Sequence, residues 1–195
     1  MSFYTDKAHP LTSVYHRPAL KPTLKTGLGQ LLVFIPGNPG LIDYYTTYLN
    51  LVQKRNPGLD VLNISHAGYQ TTDDFVAKGE GLPYEFYDIH YQVDHKVSVI
   101  KQYLATLVDR KHTEIFILCH SMGAYVTQRL VHRLLDKKSG LESKISIRFV
   151  GLICPTILDI RLSLSGVALT RLLRFLPLVN VALFLTWILR LFLSE

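Results

Sequence analysis

Cys119-His120-Ser121-Met122-Gly123 constrains this chain more than any other stretch. An apolar run, Ile115-Phe116-Ile117-Leu118, precedes it, and a helical pattern from Tyr125 to Val131 follows. Strand, sharp turn and helix in that order is the setting of a nucleophile elbow, where the turn exposes a serine Oγ at the carboxyl edge of a sheet. Gly123 keeps the later glycine of G-x-S-x-G. Cys119 stands where the first is expected; cysteine is small and buries well. The same five residues also read as a buried serine at a strand end.

The flanking chain reads as alternating strands and helices. A short strand is predicted near Ser13–Arg17, then strands over Gln30–Ile35, Asp60–Ser65, Glu114–Cys119 and Ile145–Cys154, the last as a buried strand. Helices are predicted over Ile42–Lys54, Tyr91–Val108 and Ala124–Lys137, the second with Val93, Val97, Ile100, Leu104 and Leu107 on one face. Asn56-Pro57-Gly58 stops the first helix, and a polar stretch runs from Gln70 to Pro83. This order predicts an α/β fold with a mostly parallel sheet, helices on both faces and a site at one sheet edge.

The charge is uneven. Residues 1–128 hold 11 Lys+Arg and 11 Asp+Glu, whereas residues 129–195 hold 10 and 4, so the net +6 sits in the last third. That third is also the most apolar: the 15 residues between Arg174 and Arg190 carry no charge. A bilayer span needs about 20 residues, and Pro177 would start or interrupt a helix. An in-plane or hairpin insertion, with Arg171, Arg174 and Arg190 at the headgroups and Trp187 near the interface, is one reading. A buried cap helix is the other. The expected organisation is a core over 1–160 and a hydrophobic, basic cap or lipid-associating segment over 161–195. A lipid surface is the expected partner; no nucleic-acid module is visible, and no metal or cofactor is expected. Cys119 and Cys154 read as core thiols of a reducing compartment. The polar Met1–Pro10 lacks an apolar signal segment, which argues against secretion.

Acyl transfer by a serine needs an activated Oγ, an oxyanion hole and a base held by an acid. Ser121 is the candidate nucleophile. The Met122 amide is one oxyanion donor, and Pro36-Gly37-Asn38-Pro39-Gly40 supplies the second through the Asn38 amide; the same loop also serves as a plain strand-to-helix turn. Gly37, His66, His120 and Asp159 are candidate site-lining residues; His66 also reads as a hydrogen-bonded loop histidine, and His120 as facing away from the serine. Asp159 reads as a triad acid or as a loop charge. The base is missing from its expected place: His132, the histidine after Ser121, lies about three turns along the elbow helix.

Phe34-Ile35-Pro36-Gly37-Asn38-Pro39-Gly40, Ile64-Ser65-His66-Ala67-Gly68, Gln92-Val93-Asp94-His95-Lys96, His120-Ser121-Met122-Gly123 and Pro155-Thr156-Ile157 with Ser165-Gly166 occur in order. Together they resemble the lipid droplet-associated hydrolases, a branch of the α/β-hydrolase fold, over roughly residues 30–175. The resemblance implies a carboxylic ester hydrolase of neutral lipids, on lipid droplets and the cytosolic face of the endoplasmic reticulum. Family members are longer, so the sheet is expected to be incomplete at its C-terminal side, with the acid and histidine supplied later. The competing expectation is a non-catalytic lipid-surface protein without a working triad.

Overall fold

A computed structural model describes residues 12–21, 27–69, 87–107, 110–141, 143–156, 163–175, 181–182 and 184–188. The strands are β1 (Val14–Arg17), β2 (Leu28–Ile35), β3 (Asp60–Ile64), β4 (His112–His120) and β5 (Ile145–Ile153). The helices are α1 (Asp43–Arg55), α2 (Ile89–Thr106), α3 (Gly123–Leu135) and α4 (Leu164–Phe175). A five-stranded sheet runs in the order β1-β3-β2-β4-β5. β1 is antiparallel to β3, and the other pairings are parallel.

Strand alternation divides the core between two faces. Leu31, Val33, Ile35, Ile115, Ile117 and Cys119 point to one face, where Val93, Val99 and Ile100 of α2 and Val126, Leu130 and Leu134 of α3 cover them. Leu32, Phe34, Phe116 and Leu118 point to the other, where Tyr45, Leu49 and Val52 of α1 pack. Strands buried on both faces read as continuous apolar runs, as β2 does from Leu31 to Ile35, whereas β4 is only half-buried on its second face. At the N-terminus of α2 the Asp88 carboxylate accepts from the Tyr91 amide at 2.8 Å, which starts the helix two residues before the periodicity predicts.

β5 departs from the expected buried strand. Ile145 is buried, but Phe149, Val150 and Leu152 are exposed. β5 is the outermost strand of the described sheet, so its side chains are covered less than those of β2 or β4. Cys154 likewise corrects its reading as a core thiol: it follows β5, exposed, with φ of +43°. Cys119 is fully buried, and its thiol donates to the Gly151 carbonyl at 3.4 Å.

The chain divides into two compact units, Met1–Ile157 and Leu158–Glu195. The second contains α4 and helical residues at 181–182 and 184–188. Among the described residues no helix is long and apolar enough to cross a membrane.

Candidate active site

The sheet order places two loops side by side. β2 leads to α1 on one face of the sheet, and the adjacent parallel β4 leads to α3 on the other. Loops that leave neighbouring strands towards opposite faces open a crevice at the carboxyl edge, where ligands bind in open α/β sheets. Pro36-Gly37-Asn38-Pro39-Gly40 lines one side of it and Ser121 the other.

Ser121 has φ of +49°, in the left-handed region that a non-glycine residue occupies at a cost of about 1 kcal/mol or more. Its backbone is held in that conformation by three hydrogen bonds. The amide donates to the Ile153 carbonyl at 3.0 Å, and the carbonyl accepts from Ala124 and Thr156, each at 3.0 Å. Among the described residues no group is hydrogen-bonded to Ser121 Oγ. Gly123 explains why a glycine is needed two residues on. A Cβ there would lie 2.5 Å from both the Ile35 and Pro36 carbonyl oxygens, so α3 reaches the end of β2 only without a side chain. Cys119 serves in place of the motif's first glycine because its side chain points into the core below the sheet.

Gly37 closes the other side. A Cβ on Gly37 would sit 2.9 Å from Ser121 Cβ and 2.8 Å from His120 Nδ1. The loop therefore passes against the serine. Tyr45 of α1 braces this approach: its hydroxyl accepts from the Gly37 amide at 3.4 Å and lies 2.9 Å from His120 Nδ1. His120 thus turns towards α1 and braces the elbow. Asn38 is exposed, and Met122 sits at the N-cap of α3. Neither amide has a backbone acceptor among the described residues. The N-terminal end of α3 carries partial positive charge that favours an anion.

His66 follows β3, whose carboxyl end lies at the same edge, on the far side of β2. It is buried, with 1% of its surface exposed, and among the described residues neither ring nitrogen has a hydrogen-bond partner of good geometry. Burial, then the nearby Lys96, lower its pKa to about 3, against an opposing contribution from the Pro36 backbone. Its amide donates to the Gly40 carbonyl at 3.2 Å, and its ring covers the space a Gly40 Cβ would fill. His132 is exposed on α3, well along the helix from Ser121. Asp159 lies outside the described residues.

The elbow, the loop and the His66 position all follow strand ends, which local pattern could mark. Tyr45, Gln92 and Lys96 carry no such mark; only the i, i+4 spacing of Gln92 and Lys96 on α2 hints that they share a face.

A family profile described as lipid-droplet associated hydrolase matches residues 29–195. A Gallus gallus protein named lipid droplet-associated hydrolase is 28% identical over 148 residues, covering 73% of this chain and 42% of the relative. A Drosophila melanogaster protein of the same name is 29% identical over 107 residues, covering 52% and 33%. The chain thus spans less than half the length of the curated relatives it matches. A solved structure of a hydrolase-named protein from Agrobacterium vitis superposes with a TM-score of 0.54 at 12% identity, over 74% of this chain and 47% of that one. At that identity the likeness concerns the fold alone, the α/β-hydrolase architecture.

Proposed function

The chain belongs to the lipid-droplet associated hydrolase family, and on that premise we propose that it carries the nucleophile side of a serine ester-hydrolase site acting on neutral lipid esters at droplet surfaces. The observation that carries this reading is the strained Ser121, at φ of +49°, pressed against the Gly37 turn. Ser121 Oγ attacks the ester carbonyl as its proton passes to a base. The carbonyl oxygen, now anionic, is held by the Met122 and Asn38 amides. Each such donor contributes about 3 kcal/mol to the transition state. Collapse expels the alcohol and leaves an acyl-serine, which water then hydrolyses.

The lipid surface is met by the segment after residue 160. Leu164, Leu172, Val181, Phe184, Leu185 and Trp187 are exposed, and Arg171 is exposed beside Leu172. Apolar side chains flanked by arginine suit a surface of acyl chains and anionic headgroups.

A second reading is a non-catalytic lipid-surface protein of the same fold. It is favoured by the position of His132, which α3 carries away from Ser121. The deciding experiment is labelling of the detergent-solubilised 195-residue chain with a fluorophosphonate probe, beside Ser121→Ala, with circular dichroism on both. Labelling lost in Ser121→Ala supports the hydrolase. A folded wild-type chain that does not label overturns it in favour of the second reading.

A further inference from the structure

Two segments have no part in the chemistry above: Ser65-His66-Ala67 after β3, and Gln92 to Lys96 on α2. They meet in a buried polar cluster. The Gln92 side chain grips Ala67 at both ends, accepting from its amide at 2.8 Å and donating to its carbonyl at 3.1 Å. One turn on, Lys96 Nζ donates to the Ser65 carbonyl at 2.6 Å and reaches Gln92 Oε1 at 3.4 Å and His95 Nδ1 at 3.1 Å. His95 Nε2 in turn lies 2.8 Å from Thr12 Oγ1. Gln92, His95 and Lys96 are all buried, Lys96 completely.

A wholly buried lysine is a costly way to hold one carbonyl, and an apolar side chain would fill the same volume without it. The arrangement makes sense where the position of that carbonyl matters. The gripped loop leads directly to the site. His66, between the two held residues, donates its amide to Gly40, and its ring packs where Gly40 lacks a Cβ. Gly40 ends the same turn whose Gly37 lies against Ser121.

We propose that Gln92 and Lys96 are positioning residues of the esterase site: they fix the Ser65–Ala67 loop, whose His66 sets the oxyanion turn Gly37–Gly40 beside Ser121. This rests on the reading of Ser121 as nucleophile, but the coupling from α2 to the turn exists with or without chemistry at Ser121. Misplacing an oxyanion donor by a fraction of an ångström lowers the reaction rate while leaving binding of the remainder of the molecule unaffected.

The test uses the full 195-residue chain in detergent, with Gln92→Met and Lys96→Met, which keep side-chain volume and remove the grip. Val99→Ala, a buried α2 position facing the apolar core, controls for lost stability. Two quantities are read: amide hydrogen exchange at His66, and the saturating rate and half-saturating concentration of fluorophosphonate labelling. Both Met variants are expected to speed His66 exchange and to slow the saturating rate by about tenfold or more at unchanged half-saturation. Val99→Ala is expected to do neither at matched urea stability. Wild-type exchange at His66 in both Met variants overturns the proposal, as does an equal change in Val99→Ala. If the wild-type chain does not label, the esterase reading fails. Faster His66 exchange in the Met variants alone then still supports the coupling, and unchanged exchange overturns it.

Discussion

Ser121, Gly123 and His66 show how single residues carry the site. Gly123 allows the helix to touch the strand end, and backbone atoms cannot yield to a methyl group. Gly123→Ala is therefore expected to destabilise the chain by about 2 kcal/mol, read as a lower urea midpoint, and to lose Ser121 labelling. His66 supplies a pH dependence whose direction is set by its burial. Its folded pKa of about 3 lies below the ordinary histidine value of 6.5. The unfolded chain therefore binds the proton first. The stability that the neutral imidazole contributes is whole above pH 6.5 and is lost as the pH falls towards 3. Unfolding free energies between pH 7 and pH 4 are expected to fall more steeply for wild type than for His66→Phe. Lys96 acts in the same direction. That Ser121 would sit on a turn was legible from the small residues around it. That the His66 ring would be buried without a hydrogen-bond partner of good geometry among the described residues was not, because it depends on Gly40 and α2, which are distant in sequence.

Elements differ in how much of them the sequence revealed. The strands and the helices α1 to α3 lie within a few residues of their predicted bounds, because apolar periodicity and turn residues are local signals. Burial of whole strands was less legible. β5 reads as core, yet its position at the outside of the described sheet leaves Phe149, Val150 and Leu152 exposed. Exposed apolar outer strands promote association. The double variant Val150→Lys/Leu152→Lys is accordingly expected to scatter less light than wild type in detergent-free buffer. Near the opposite edge, Asp60 of β3 is buried and paired with Arg110, and also accepts from the Ala19 amide at 2.7 Å. Removing one partner strands the other charge, so Arg110→Met is expected to cost about 3 kcal/mol in urea unfolding. The pair lies at the amino end of β3, away from the loops at the carboxyl edge, so Ser121 labelling should be unchanged.

At the scale of the whole molecule, the chain has a single tryptophan, Trp187, in its second compact unit. Trp187 is 58% exposed and stacks near Phe184, with ring centroids 6.2 Å apart. Its fluorescence reports this unit alone. If the segment lies on lipid, anionic phospholipid vesicles should shift its emission to shorter wavelength, and replacing Arg171, Arg174 and Arg190 with Gln should weaken that shift; an unchanged spectrum would count against lipid contact. The sequence by itself determined the succession of strands and helices, the sharp turn at Ser121, the glycine turn after β2 and the basic, apolar last third. Each is written in neighbouring residues, through side-chain periodicity, backbone freedom or charge. Only the tertiary structure decided the strand order β1-β3-β2-β4-β5, the contact of Gly37 with Ser121, the exposure of Cys154, and the burial of Gln92, His95 and Lys96 beneath the His66 loop. Those outcomes turn on which segments pack together across long separations, and a polar side chain's burial depends on the partners that packing brings to it.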